Sequence, residues 1–347
     1  MSTLWAAGGV CRRPPALRSG DTVAVVAPAG PVPAGQLDRG VARLEEWGLK
    51  VRVMPHVSDT HLGHLAGADL DRAADLQQAW LDPAVAAVFC ARGGYGCQRM
   101  ADLLDWGVLA RAAPKPLVGF SDVTELHRLF AARLRVATLH GPMPGTGAFA
   151  DPQSVEHLRR VLFEPTSVRA LPLAAPALVA GTAEGVLAGG NASLLASSIG
   201  VPGYGLPDGC LLFLEDTGEE PYRLDRILTQ LRRAGVLQSA AGVVLGDFTD
   251  CGDPQALADV MHDRLAGLGI PVAAGLPAGH GKLNLTVPLG LRARMTASTA
   301  PGAGALVLAQ PPLSARAGTR EGPAKAGGGP MGGTDTRSGK DEESCAS

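Results

Sequence analysis

Two hydrophobic rhythms alternate over the first 140 residues. Short unbroken apolar runs, as a strand buried on both faces requires, are followed by stretches whose apolar residues recur three or four apart, the period of a half-buried helix. Thr22 to Ala27 is such a run, ending in the turn Pro28-Ala29-Gly30, and Val41, Leu44 and Trp47 then recur at helical spacing. Val51 to Met54 predicts a second strand, Leu70 to Leu81 a helix, Ala86 to Cys90 a third strand, and Pro116 to Phe120 a fourth with helix Val123 to Leu134 behind it. Strands and helices in this order predict a parallel sheet covered on both faces. The rhythm fades after His140, and Glu164 to Thr182, rich in Pro and Ala, reads as an extended connection. It resumes with apolar strands Cys210 to Leu214 and Val243 to Leu245, separated by helix Tyr222 to Ala234. Beyond Leu313 almost no large apolar residue remains to offset the entropy of ordering. The expected division is a flexible extension over 1–18, an α/β domain over 19–143, a linker region over 144–182, a C-terminal domain over 183–313 and a disordered tail over 314–347.

Composition agrees with two domains, since 347 residues exceed what one core usually organises and 46% hydrophobic residues can fill two. The 31 basic and 33 acidic side chains nearly cancel and form no long block, so neither nucleic acid nor a membrane surface is expected as a partner. No run approaches the roughly 20 apolar residues of a membrane helix. The weakly apolar stretch Leu4 to Val10 precedes Arg12 and Arg13, the reverse of a secretory signal, and a cytoplasmic location is expected. The cysteines Cys11, Cys90, Cys97, Cys210, Cys251 and Cys345 are scattered and read as reduced thiols; His61 and His64 lack a third ligand at supporting spacing, so no metal is expected.

Four short segments could carry chemistry. Leu117-Val118-Gly119-Phe120-Ser121-Asp122 places a serine where a buried strand gives way to a helix, as in a nucleophile elbow; Ser121 or Asp122 could equally cap that helix, with Glu125 completing a capping box. Arg92-Gly93-Gly94-Tyr95-Gly96 exposes backbone N–H groups suited to an oxyanion or a phosphate, without the spacing of a nucleotide fingerprint. Glu215 ends an apolar strand and heads a cluster with Asp216, Glu219 and Glu220, and His280 lies between two glycines. A serine, a base and an orienting carboxylate satisfy the needs of acyl transfer, whereas a lone histidine and a charged loop are ordinary structural features.

The segments RGGYGCQRM (92–100), GFSD (119–122), HGPM (140–143), GGNASLLASSIGVP (189–202), LFLEDTGEEPYRLDRILTQL (212–231) and GLPAGHGKLNLTVPLG (275–290) resemble the motif series of the LD-carboxypeptidase and microcin C immunity family of serine peptidases, in order and across about residues 20 to 295. The resemblance implies an N-terminal doubly wound parallel-sheet domain, a C-terminal mixed α/β domain, an active site in the cleft between them and a homodimer. It places the nucleophile on Ser121 and the rest of the triad on Glu215 and His280, with the oxyanion donors on the backbone of Gly94 and Asp122 and a substrate-contacting asparagine on Asn191. Phe120 replaces the family's usual tyrosine. No metal or organic cofactor is implied. The expected substrate is a small muropeptide, cut between the L-centre of meso-diaminopimelate and a terminal D-alanine, with Glu219 and Glu220 as candidate partners for the free ammonium. The alternatives are an immunity peptidase acting on an aminoacyl-nucleotide analogue, which needs an aromatic platform that this chain does not obviously supply, and a non-catalytic α/β ligand-binding protein.

Overall fold

The computed structural model describes residues 9–201 and 203–316. In chain order its elements begin with β1 (Thr22–Val26), α1 (Ala34–Glu46), β2 (Lys50–Val53), α2 (Asp69–Leu81), β3 (Val85–Cys90), α3 (Cys97–Ala101), α4 (Trp106–Leu109), β4 (Leu117–Gly119), α5 (Thr124–Leu129) and β5 (Thr138–His140). These strands form a parallel sheet in the order β2-β1-β3-β4-β5. Val23 to Val26 of β1 are wholly buried, which is why the strand reads as an unbroken apolar run. Strand order reverses between β1 and β3, and such a reversal opens a crevice outside the strands' C-terminal ends.

The second half supplies α6 (Pro152–Phe163), β6 (Ala170–Leu173), β7 (Gly181–Asn191), α7 (Ala192–Ser197), β8 (Leu211–Thr217), α8 (Pro221–Arg233), β9 (Gly242–Thr249), α9 (Pro254–Leu265), β10 (Val272–Ala273), β11 (Val287–Leu289), β12 (Arg292–Ala297) and β13 (Gly304–Leu308). Strands β10-β9-β8-β7 run parallel, and β12, β13 and β6 continue that sheet antiparallel. Helix α8 covers it with Leu224, Leu228 and Leu231, one buried stripe at helical spacing. Strand β11 crosses back to the first sheet and pairs antiparallel with β5, Val287 opposite His140. The architecture is therefore α/β with a doubly wound first sheet and a mixed second one, as expected.

Three expected stretches differ. The segment read as a linker holds α6, whose Val155, Leu158, Val161 and Leu162 pack into the first core; Asp151 caps it by accepting from the Ser154 N–H, with Pro152 in the first turn. The described part of the 1–18 extension is tied down: the Cys11 N–H donates to the Gly290 carbonyl and the Leu17 N–H to that of Leu162. Ordered structure also runs past the expected tail start at 314. Leu313 is 1% exposed in the first core, Ser314 exchanges backbone bonds with Pro14 and Ala16, and Arg316 pairs with Asp21 at 2.6 Å. Residues 317–347 lie outside the described residues.

A chain ending at Pro312 loses these contacts, and burying one leucine contributes about 1.5 to 3 kcal/mol. It should melt about 2 to 5 °C below a chain ending at Arg316. Equal melting temperatures by calorimetry would show that residues 313–316 are dispensable.

Candidate active site

The loops after β1 and β3 meet at the strand-order reversal. The Gly30 N–H donates to the Gly93 carbonyl at 3.0 Å, and the buried Arg72 guanidinium bonds the carbonyls of both Pro28 and Gly96. The loop between them presents Gly94 at φ +109°, where a side chain would be strained. A Cβ on Gly93 would lie 2.8 Å from that of Ser121, so only glycine lets this loop reach the serine.

Ser121 begins a 3-10 turn, Ser121–Val123, that leads into α5, and a π-turn over Phe130–Leu134 ends the segment that the sequence reads as one helix. Its φ is +64°, an uncommon backbone state for a residue other than glycine and the strained geometry of a nucleophile elbow. The capping alternative does not hold. Phe120 occupies the cap position with no side-chain bond, and the Asp122 carboxylate instead accepts from the Cys97 N–H at 2.8 Å, pinning the serine turn to the glycine loop. Glu125 makes no capping box either; it pairs with Arg128 and accepts from Ser198 of the second half.

On the other side, β8 brings Glu215 to the seam between the sheets with its side chain wholly buried. Its Oε2 accepts from His280 Nδ1 at 2.7 Å. Gly279 has φ +130°, and a Cβ there would strike Glu215, so the glycine lets the histidine loop close on the carboxylate. Burial opposes the charge on Glu215, but the imidazoles of His140 and His280 outweigh it and hold the carboxyl well below the usual range. Burial also works against a cationic His280, yet the Glu215 bond and charge overcome it and raise the imidazole pKa. With Nδ1 donating to an ionised carboxylate, Nε2 is the ring atom left to accept a proton. Asp247, against Gly281, adds negative potential; its own carboxyl is pushed up to about 6 by burial and by Glu215.

Ser121, Gly94 and His280 line one cleft of about 850 Å³ between the two halves. Phe120, tilted against the His280 ring with centroids 5.0 Å apart, packs the residue before Ser121 against the histidine loop. Asn191 does not line the cleft: it is 3% exposed, its amide donates to Asp216 and its oxygen accepts from Ser193 and from Leu194, whose helix it caps. Nor do Glu219 and Glu220. Glu219 pairs with Arg223 four residues on, and Glu220 occupies the cap position of α8. The cleft charges that the sequence reading passed over are Asp151 and Lys282, from the start of α6 and the loop after His280, together with Arg92 of the quoted glycine motif. The Asp151-Pro152 pair, a helix-start signal, could have placed the first of them.

Residues 23–141 match the LD-carboxypeptidase N-terminal domain and residues 184–295 the LD-carboxypeptidase C-terminal domain. A Streptomyces coelicolor relative is 50% identical over 306 residues, 87% of this chain and 97% of its own. The murein tetrapeptide carboxypeptidase of Pseudomonas aeruginosa is 34% identical over 281 residues, covering 77% of this chain and 91% of its own. Among solved structures, muramoyltetrapeptide carboxypeptidase from Oxalobacter formigenes superposes with a TM-score of 0.75 at 29% identity over 84% of this chain and all of its own. The microcin C7 self-immunity protein bound to aspartyl sulfamoyl adenosine shares the fold, with a TM-score of 0.76 at 22% identity over 87% of this chain and 99% of its own. Both domains, in order and together spanning most of the sequence, are present, and the chain belongs to the LD-carboxypeptidase family.

Proposed function

We propose that the protein is a cytoplasmic, homodimeric serine carboxypeptidase of peptidoglycan recycling that removes the terminal D-alanine from a muropeptide tetrapeptide. The observation that carries this reading is a positive-φ serine sharing one cleft with a histidine bonded to a buried, ionised glutamate. Ser121 Oγ would attack the carbonyl of the L-centre of diaminopimelate while His280 Nε2 takes its proton. The Gly94 and Asp122 N–H groups would receive the oxyanion. Collapse breaks the C–N bond, His280 returns the proton to the departing D-alanine amine, and water then cleaves the acyl-enzyme by the same route in reverse. Glu215 holds the imidazole and offsets its charge throughout.

The cleft composition favours a peptide over an aminoacyl nucleotide. A base-reading site gains about 1 to 3 kcal/mol from an aromatic platform. Among the described residues, Phe120 is the one cleft aromatic besides His280, and it is 5% exposed. Phe149 and Phe163 are occupied with Trp47, at centroid distances of 5.9 and 6.2 Å. Asp151 on the one hand and Lys282 and Arg92 on the other instead offer charges of both signs, matching a free ammonium and a carboxylate of a peptide.

Release of D-alanine from purified tetrapeptide is the direct test, and efficient hydrolysis of an aminoacyl sulfamoyl adenylate without it would favour the immunity reading. Ser121→Ala or His280→Ala should lower kcat by roughly 10⁴ to 10⁶ with folding intact; a Ser121→Ala enzyme keeping a tenth of wild-type activity would remove the serine from the mechanism. Because His280 must be neutral to act as base and its pKa is raised, kcat/KM should climb with pH through a midpoint above the ordinary imidazole value of about 6.5. Glu215→Gln should lower kcat by about 10³ to 10⁴ and move that limb to lower pH, since the strongest influence opposing burial is then gone and only the charges of Asp216 and Asp247 remain; a limb that stays in place would uncouple the two residues. Finally, Lys282→Met and Asp151→Asn should each lower kcat/KM for the tetrapeptide about tenfold, and Glu220→Ala less than twofold. The reverse ranking would return substrate recognition to the acidic cluster beyond β8.

A further inference from the structure

Glu215 has two carboxylate oxygens, and His280 engages one. The other, Oε1, is buried without a hydrogen-bond partner, and facing it at 3.8 Å stands Nε2 of His140, the last residue of β5. Both side chains are 0% exposed, and both ring nitrogens of His140 are likewise unpaired. Buried polar atoms are nearly always satisfied, so two facing orphans mark an interaction that a small closure completes. The ring is held for that purpose: Phe120 and Phe213 pack edge-on against it at 5.7 and 5.0 Å.

Among the described residues, the surroundings supply no rival imidazole donor to Oε1. His127, whose ring lies 6.2 Å from that of His140, is buried and pushed down to about 3 by desolvation and by His140. Its Nε2 faces the Gly119 carbonyl at 2.9 Å and so carries the proton, leaving Nδ1 to accept from Thr138. That neutral ring is fully engaged within the first sheet. His140 is thus the imidazole that points across the seam, and it can present an N–H to Glu215 in either charge state.

We infer that His140 is a positioning residue, an imidazole of the first domain that donates Nε2–H to Oε1 of Glu215 when the cleft closes on substrate, fixing the carboxylate against His280. Catalytic hydrogen bonds that are long in a free enzyme commonly tighten in the complex. Because β5 belongs to one sheet and β8 to the other, this bond would make the alignment of the triad depend on the fit between the domains.

The inference rests on the serine mechanism proposed above, and its test separates the two. The rate at which an organophosphonate probe labels Ser121 reads activation of the hydroxyl without reference to any peptide; kcat and KM for the tetrapeptide are measured alongside. His140→Ala should slow labelling and lower kcat about 10- to 100-fold with KM within twofold. His140→Gln, whose amide N–H can reach Oε1, should recover at least half of that loss on a logarithmic scale. In a Glu215→Gln background, where the carboxylate is already gone, His140→Ala should cost less than threefold. Should His140→Ala fail to fold, His140→Asn, polar but too short to reach, takes its place. An equal cost in both backgrounds, a change confined to KM, or a Gln variant as impaired as the Ala variant would overturn the assignment. Labelling that follows this pattern while the tetrapeptide is left uncut would retain His140 and remove the substrate reading.

Discussion

A carboxylate with no exposure to solvent, at the seam of two sheets, is the constraint around which the site is organised. Isolated, such a charge would protonate, and a protonated Glu215 could neither orient nor offset an imidazolium. The neighbouring chain answers that demand in several places. Gly279 yields the space that brings His280 within 2.7 Å, β8 fixes the carboxylate by pairing on both sides, and β5 sets a second imidazole opposite it. Polar ties keep the seam from sliding: the Asn191 N–H donates to Thr124, Ser198 to Glu125, and the Asn284 and Thr286 N–H groups to Ser154 and His157. A shift of an ångström between the halves would change the distances on which the charge depends.

Much of this frame is legible in the amino-acid order. Strands β1, β3, β4 and the first four residues of β8, Leu211 to Leu214, are buried on both faces and therefore appear as apolar runs. The glycines beside Ser121 and His280 stand out because only they tolerate the approach of a neighbouring loop. Helix α6 escaped notice because Pro and Ala dominate its surroundings, although its apolar residues recur at helical spacing behind an Asp-Pro start. Strand β11 carries no local signal at all; three residues with a proline at the centre become a strand only because β5 offers an edge.

Asn191, Glu219 and Glu220 lie outside the cleft lining for local structural reasons. Proximity in sequence to Glu215 suggested that Glu219 and Glu220 share its cleft, but the chain leaves β8 at Thr217 and turns away through Gly218, at φ +70°. Glu219 then finds Arg223 one helical turn on, a local pairing more immediate than any ligand. Asn191 was drawn to a different local duty, capping α7 while its amide bonds Asp216. Glu219 and Asn191 are each claimed by a partner close in sequence, and the charges on the wall of the cleft come from distant segments, Arg92, Asp151 and Lys282.

The return of β11 to the first sheet also sets an order of assembly. The edge strand beside β5 is encoded at Val287–Leu289, after both sheets' parallel strands and after His280. During synthesis the serine-bearing half therefore leaves the ribosome with its β5 edge uncovered and waits for the parallel strands of the second sheet to be made before β11 completes it. An uncovered edge is a template for unwanted pairing, so the nascent protein passes through an interval of aggregation risk. The same strand closes that edge and anchors the segment that follows the histidine loop, which makes completion of the first domain and delivery of His280 to the cleft a single late event.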